Sequence, residues 1–203
     1  ALSLPVAAEP GEKFIYSTAQ SHLLSAALTA ATGQSTAKLA QESLFAPLGV
    51  ELLEWEADAK GISTGGSDVH MRPRDMAKIG FLYLNQGLWD GTQVLPEAWI
   101  RQSTTGQSPA KGGYGYYRIL DRVGDCDSYY VTGFGGQRIQ VVPDLDLVVV
   151  MTSLCDIDAD RTRLFVAHHI VPAVKPEGTD LPAANRGSGS GPPAGRRPEP
   201  IHE

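Results

Sequence analysis

The chain of 203 residues is poor in cysteine, in basic residues and in long apolar runs, and each shortage excludes something. Two cysteines, Cys126 and Cys155, are too few for a disulfide framework and lack the paired spacing of a zinc site. Spacing does not supply the Cα separation that a disulfide needs, so a Cys126–Cys155 bridge and two ordinary thiols both stay open. Seventeen Lys and Arg stand against 23 Asp and Glu, for a net charge of −6. No basic cluster marks a nucleic-acid surface. The longest apolar stretch, around Leu147 to Met151, falls far short of the ~20 residues of a membrane-spanning helix. Neither a nucleic-acid partner nor a membrane span is expected, and the composition predicts a soluble chain with its compartment left open. The opening Ala-Leu-Ser-Leu-Pro-Val has neither the basic start nor the apolar core of a signal peptide, so any targeting segment is expected upstream of Ala1.

What is present suffices for one globular core. Leu24, Ala27, Leu28 and Ala31 recur at helical spacing between a cap at Ser17 or Thr18 and a stop at Gly33. A second helix is expected from Ser35 to Phe45, a third from Pro73 to about Gln86, and a short fourth from Pro96. Trp55 to Gly66 reads as loop, and Trp89-Asp90-Gly91 as a turn. Tyr114–Leu120, Ser128–Thr132, Gln137–Val142 and Leu147–Thr152 are β-branched or aromatic runs that predict successive antiparallel strands. A tight link at Pro143–Asp146 joins the last two, and a final helix follows Asp156. From Pro176 the composition turns to Pro, Gly, Ser and Arg and predicts a disordered tail over 176–203, behind a domain over 1–175. The fold class is α+β, with helices covering an antiparallel sheet.

Tyr16 immediately precedes the first helix. The N-terminal end of a helix favours negative charge and would ease ionisation of a nearby phenol, so a tyrosine there can act as general base for a serine hydroxyl. Taken alone, the segment favours a packing role for Tyr16 at a hydrophobic staple.

The series Pro10-Gly11-x-x-Phe14-x-Tyr16-Ser17, then Thr32-Gly33, then Leu44-Phe45-x-Pro47-Leu48-Gly49 resembles the second-motif region of class C β-lactamases and their relatives. Those relatives include carboxylesterases, penicillin-binding D-alanyl-D-alanine peptidases and aminohexanoate-dimer hydrolases. The resemblance runs on through Gly65-Gly66, Pro73-x-Asp75-Met76-Ala77-Lys78, Gly87-x-Trp89-x-Gly91, Tyr114-Gly115-Tyr116 and Gly133-Phe134-Gly135-Gly136-Gln137, over roughly Leu4 to Val171. It implies a β-lactamase/transpeptidase-like fold, a catalytic Tyr16, and a serine nucleophile in a Ser-x-x-Lys upstream of that tyrosine. Nothing before Tyr16 fits that motif. The resemblance therefore implies the C-terminal part of a hydrolase whose nucleophile, and part of whose sheet, lie upstream.

Two later matches exist, Ser35-Thr36-Ala37-Lys38 and Ser108-Pro109-Ala110-Lys111. The first stands at a helix start, where Ser35 has an ordinary capping role. The second lies in a loop with no helix to orient its lysine.

The family's third element is a strand edge whose backbone N–H helps form an oxyanion hole. Gly133, Phe134, Gly135, Gly136 and Gln137, following Thr132, stand at the head of a strand in the matching place, and a bulge or tight turn is the alternative there. Two departures matter: Thr18 replaces the Asn that ends the tyrosine motif, and no Lys-Thr-Gly is present. Without that cation an ester or amide is favoured over a β-lactam as the small-molecule substrate.

No cofactor is implied. Adjacent His168 and His169 point about 100° apart on a helix, and His22 and His70 are isolated, so no metal site is expected. The rival to the hydrolase reading is a non-catalytic binding module, a degenerate homologue recognising cell-wall peptide. Expected protein partners are the upstream half or a second copy, with an uncovered apolar sheet face over Tyr114 to Thr152.

Overall fold

The computed structural model of the chain describes residues 8–9, 11–107, 113–154 and 159–174. The predicted tail, Ser108–Lys111 and Cys155 lie outside these residues.

Helix α1 spans Thr18–Thr32 and stops at Gly33, whose φ of 70° lets its N–H reach the Thr29 carbonyl. Helix α2 (Thr36–Ala40) widens into a π turn over Gln41–Phe45. The Ser35 hydroxyl caps it, accepting the Lys38 N–H at 3.2 Å. Helix α3 (Pro73–Leu84) begins with Pro73 in its first turn, where the missing N–H costs no bond. Between α2 and α3 a two-residue ladder pairs β1 (Glu54–Trp55) with β2 (Val69–His70). A hairpin of β3 (Leu88–Trp89) and β4 (Thr92–Gln93) turns at Asp90-Gly91, and α4 covers Glu97–Ser103.

The main sheet is an antiparallel meander in chain order: β5 (Ile119–Val123), β6 (Cys126–Gly133), β7 (Gln137–Val142) and β8 (Leu147–Met151). Its register aligns Leu120 with Tyr129, Tyr129 with Val141, and Val141 with Val148. That face packs against Tyr83 of α3 and Ile100 of α4. The alternate residues Val123, Cys126 and Val142 pack against Val166 and Val171 on the opposite face. Those two belong to the closing element, helix α5 (Ala159–Phe165), a π turn (Val166–Ile170) and α6 (Val171–Val174). Helices thus cover both faces of the sheet. A separate cluster of Phe45, Leu48, Val50 and Leu82 ties the π turn after α2, and the residues that follow it, to α3.

Three expectations change. The run Tyr114–Arg118 is not strand but a turn closed by Gly115 N–H to the Arg118 carbonyl at 2.8 Å, with Tyr117 at φ 56°. The strand starts at Ile119 and runs on through Asp121 and Arg122. The sheet is not the uncovered surface: Val141 is buried and Ile139, Val148 and Val150 are partly buried beneath α3. The open apolar stripe lies instead on α1, where Leu24 is 48% exposed, Ala27 and Ala31 are also exposed, and Ser25 is the one buried residue. The outer edge of β8 has no strand partner among the described residues.

Candidate active site

Tyr16 stands just before α1 with its side chain 56% exposed, and it makes no hydrogen bond among the described residues. Its surroundings are aromatic. Phe14 packs on Tyr114 with ring centres 4.6 Å apart. Burial pushes the Tyr114 phenol up from its ordinary 10 to about 12, with the neighbouring Tyr16 and Tyr117 phenols adding to the rise and Arg118 opposing it. The loop 114–118 therefore forms one wall beside Tyr16.

Thr18 opens α1 and lines a hollow of about 250 Å³ with Ala19, His22, Asp58, Thr64 and the segment Gly65–Ser67. That segment sits directly on the helix. A Cβ on Gly65 would run into the Ser21 carbonyl and one on Gly66 into the Thr18 methyl, so two glycines are what allow the approach. Two residues that sequence reasoning left out complete the hollow. His22 Nε2 lies 3.2 Å from Asp58 Oδ2, and His22 Nδ1 accepts the Gly65 N–H at 3.4 Å. At a separation of 36 positions, no spacing rule would have paired His22 with Asp58.

Gly133–Gln137 forms the tight connection between β6 and β7, with Gly133 and Gln137 paired across the ladder. Gly135 and Gly136 carry φ of 77° and 93° in the turn, and Phe134 is 87% exposed at its tip. Thr132 Oγ1 donates to the Gln137 carbonyl at 3.1 Å and Gln137 Nε2 donates to the Ser153 carbonyl. β6 is an inner strand, so this backbone is offered at the end of a hairpin rather than along a lateral edge. Among the described residues no hydrogen bond or ring contact joins the hairpin to Tyr16 or Thr18.

Ser35 and Lys38 make no side-chain hydrogen bond to each other among the described residues. The Ser35 oxygen is held by the backbone of its own helix, and Lys38 Nζ faces Glu42 at 3.8 Å. Ser108–Lys111 lies outside the described residues. Among the described residues no group of three or more His, Cys, Asp or Glu could hold a metal ion. No helix there is long and apolar enough to cross a membrane.

A helical layer, a consecutive antiparallel meander and a closing C-terminal helix on its other face define the β-lactamase/transpeptidase-like fold. The Beta-lactamase family model matches residues 1–166, and the chain belongs to that family. Among solved structures it is similar to a candidate 6-aminohexanoate-dimer hydrolase from Bacillus anthracis, at 23% identity and a TM-score of 0.69 over 82% of this chain and 46% of that one. A β-lactamase from Mycobacterium bovis aligns at 18% identity and a TM-score of 0.64, covering 82% of this chain and 66% of the other. A penicillin-binding-protein homologue from Caulobacter crescentus aligns at 13% identity and a TM-score of 0.61, covering 85% and 60%. The chain thus spans between 46% and 66% of the length of these three. No curated protein matches it.

Proposed function

We propose that this chain is the tyrosine-bearing part of a serine hydrolase that cleaves an ester or amide through an acyl-serine intermediate. The nucleophile is the serine of a Ser-x-x-Lys on a segment outside these 203 residues. Its oxygen attacks the carbonyl carbon while Tyr16, together with that lysine, takes the hydroxyl proton and passes it to the leaving group. Thr18 contacts the substrate, and N–H groups of Gly133–Gln137 hold the oxyanion.

The observation that carries the reading is Tyr16 itself, a half-exposed phenol in the family's motif, at the head of a helix and beside a hollow. The capping role of Ser35 supports a nucleophile elsewhere. The open stripe on α1 is where the nucleophile-bearing segment would pack, since an apolar helix face of this kind is normally covered. The absence of Lys-Thr-Gly supports an ester or amide rather than a β-lactam.

A fluorophosphonate probe tests this, with the labelled peptide located by mass spectrometry. The 203-residue chain should take up no label. A longer protein carrying Ser-x-x-Lys ahead of Tyr16 should be labelled at that serine. Label on Ser35 would overturn the assignment, and no label on either protein would favour the binding-module reading.

A further inference from the structure

The hollow beside Thr18 is walled by α1 on one side and by residues between Asp58 and Ser67 on the other. Besides the two glycines, two side chains of α1 tie these walls together: Ser25 Oγ donates to the Ser63 carbonyl at 2.7 Å, and His22 reaches Asp58 with one ring nitrogen and Gly65 with the other. An ionised carboxylate only accepts and a backbone N–H only donates, so both bonds exist together only when the ring is neutral with its proton on Nε2. Asp58 is a fixed anion. Its other oxygen accepts the N–H groups of Lys60 and Ile62 at 2.8 and 3.0 Å. The Ile62 N–H is the first cause holding this carboxyl below its ordinary range, opposed by burial and aided by Lys60 and His22. Thr18, Ala19, Thr64, Gly66 and Ser67 carry no charge, so Asp58 is the charged group the ring meets in the hollow.

Imidazole changes charge across neutral pH. A proton added at Nδ1 strengthens the hold on Asp58 and sets two N–H donors against each other at Gly65. The ring stays on Asp58, and the Gly65 contact is lost.

We propose that His22 is a positioning residue for the site at Thr18: neutral, it holds the Gly65 N–H against α1 at the rim of the hollow; protonated, it releases that N–H, while Ser25 keeps its hold on Ser63 two residues earlier. The inference rests on the reading of Thr18 as a substrate contact and Tyr16 as base, but its first test does not.

The amide proton and nitrogen chemical shifts of Gly65 are followed in the full chain from about pH 8 to about pH 5, alongside the ring signals of His22. The Gly65 signal should move with the same midpoint as the ring. In His22→Asn the side-chain oxygen can still accept near the Nδ1 position but does not titrate, so the signal should stay flat and near its high-pH place. In His22→Ala it should stay flat and near its low-pH place. A wild-type Gly65 signal that ignores the titration of His22 overturns the proposal, whatever Tyr16 does.

The second arm uses the longer, active protein. Acidification through the same midpoint should raise KM about tenfold with kcat changed less than about twofold, the pattern of lost uniform binding, and His22→Asn should flatten that step. A fall in kcat at constant KM that His22→Asn abolishes would instead overturn the positioning role, whereas a fall that persists in His22→Asn belongs to the general base. If Gly65 tracks His22 while Tyr16→Phe leaves turnover unchanged, the loop-positioning inference stands and the reading of Tyr16 fails.

Discussion

Gly80 of α3 lies so close to Val148 of β8 that a Cβ on it would stand 2.5 Å from one Val148 methyl and 2.9 Å from the Ile139 methyl branch. Two effects oppose each other at this position. Alanine is the better helix former by about 1 kcal/mol, whereas forcing a methyl into a packed interface costs roughly 1 to 3 kcal/mol. Packing should win, because both neighbours are carried on a paired sheet that has little room to shift. Gly80→Ala should lower the urea midpoint without changing the m-value. Adding Val148→Ala should restore part of the loss, a coupling that a double-mutant cycle reads directly.

Arg138 should prove costly to replace. It is buried on the α5 face of the sheet, with its Nε on Thr162 at 3.0 Å, a terminal nitrogen on Gln140 at 2.9 Å, and its guanidinium 3.9 Å from the centre of the Tyr130 ring. Gln140 passes the chain on to Ser128 at 3.0 Å. Arg138→Lys keeps the charge but loses the fork and the stacking plane. Unfolding by urea should show a loss of about 1 to 3 kcal/mol, the scale of a buried polar group left unpaired. A change within a few tenths would mean that the network contributes no stability.

Alkaline pH should loosen the fold. Tyr114 is pushed up from 10 to about 12, and burial also raises Tyr129 and Tyr130. A phenol that holds its proton more tightly when folded favours the folded state below its unfolded value, and that advantage is lost as pH climbs from about 10 through about 12. Thermal midpoints measured from about pH 9 to about pH 12 should fall, in step with late-appearing tyrosinate absorbance. Tyr114→Phe should remove part of the fall.

On the proposed mechanism, Tyr16→Phe in a longer protein that carries Ser-x-x-Lys ahead of it should lower turnover by a factor of about 100 or more with a smaller change in KM, as expected for loss of a general base. Ser35→Ala is the matched control. It removes a helix cap and should cost about 1 kcal/mol of stability while leaving turnover per folded molecule unchanged. Equal effects of the two substitutions on turnover would return Tyr16 to a packing role.

Where the chain alternates or repeats cleanly, the elements were legible. Gln137–Val142 is the strand expected, and Ser35, Pro73 and Gly33 stop and start helices as their chemistry directs. The strand at Ile119 was misplaced because Tyr114–Arg118 has strand composition but is turned by Gly115 and a left-handed Tyr117. Its continuation through Asp121 and Arg122 was hidden because charge reads as loop, whereas here Arg163 pairs with Asp121 at 2.7 Å. The exposed stripe of α1 has the periodicity of a buried one, and period alone does not say what covers a helix. Tyr16 and Thr18 stand out through their neighbours in sequence, whereas His22 and Asp58 meet only through the fold.

The stripe of Leu24, Ala27 and Ala31 also sets how this chain should respond to temperature and salt. Contact between such surfaces is driven mainly by the release of water near room temperature, so any self-association through α1 should weaken on cooling and strengthen on warming. Sodium chloride should help it only until the mutual repulsion of chains of net charge −6 is screened, at roughly 0.1 M. Sulfate should go on strengthening it well past that point, because it is excluded from the apolar surface that contact removes.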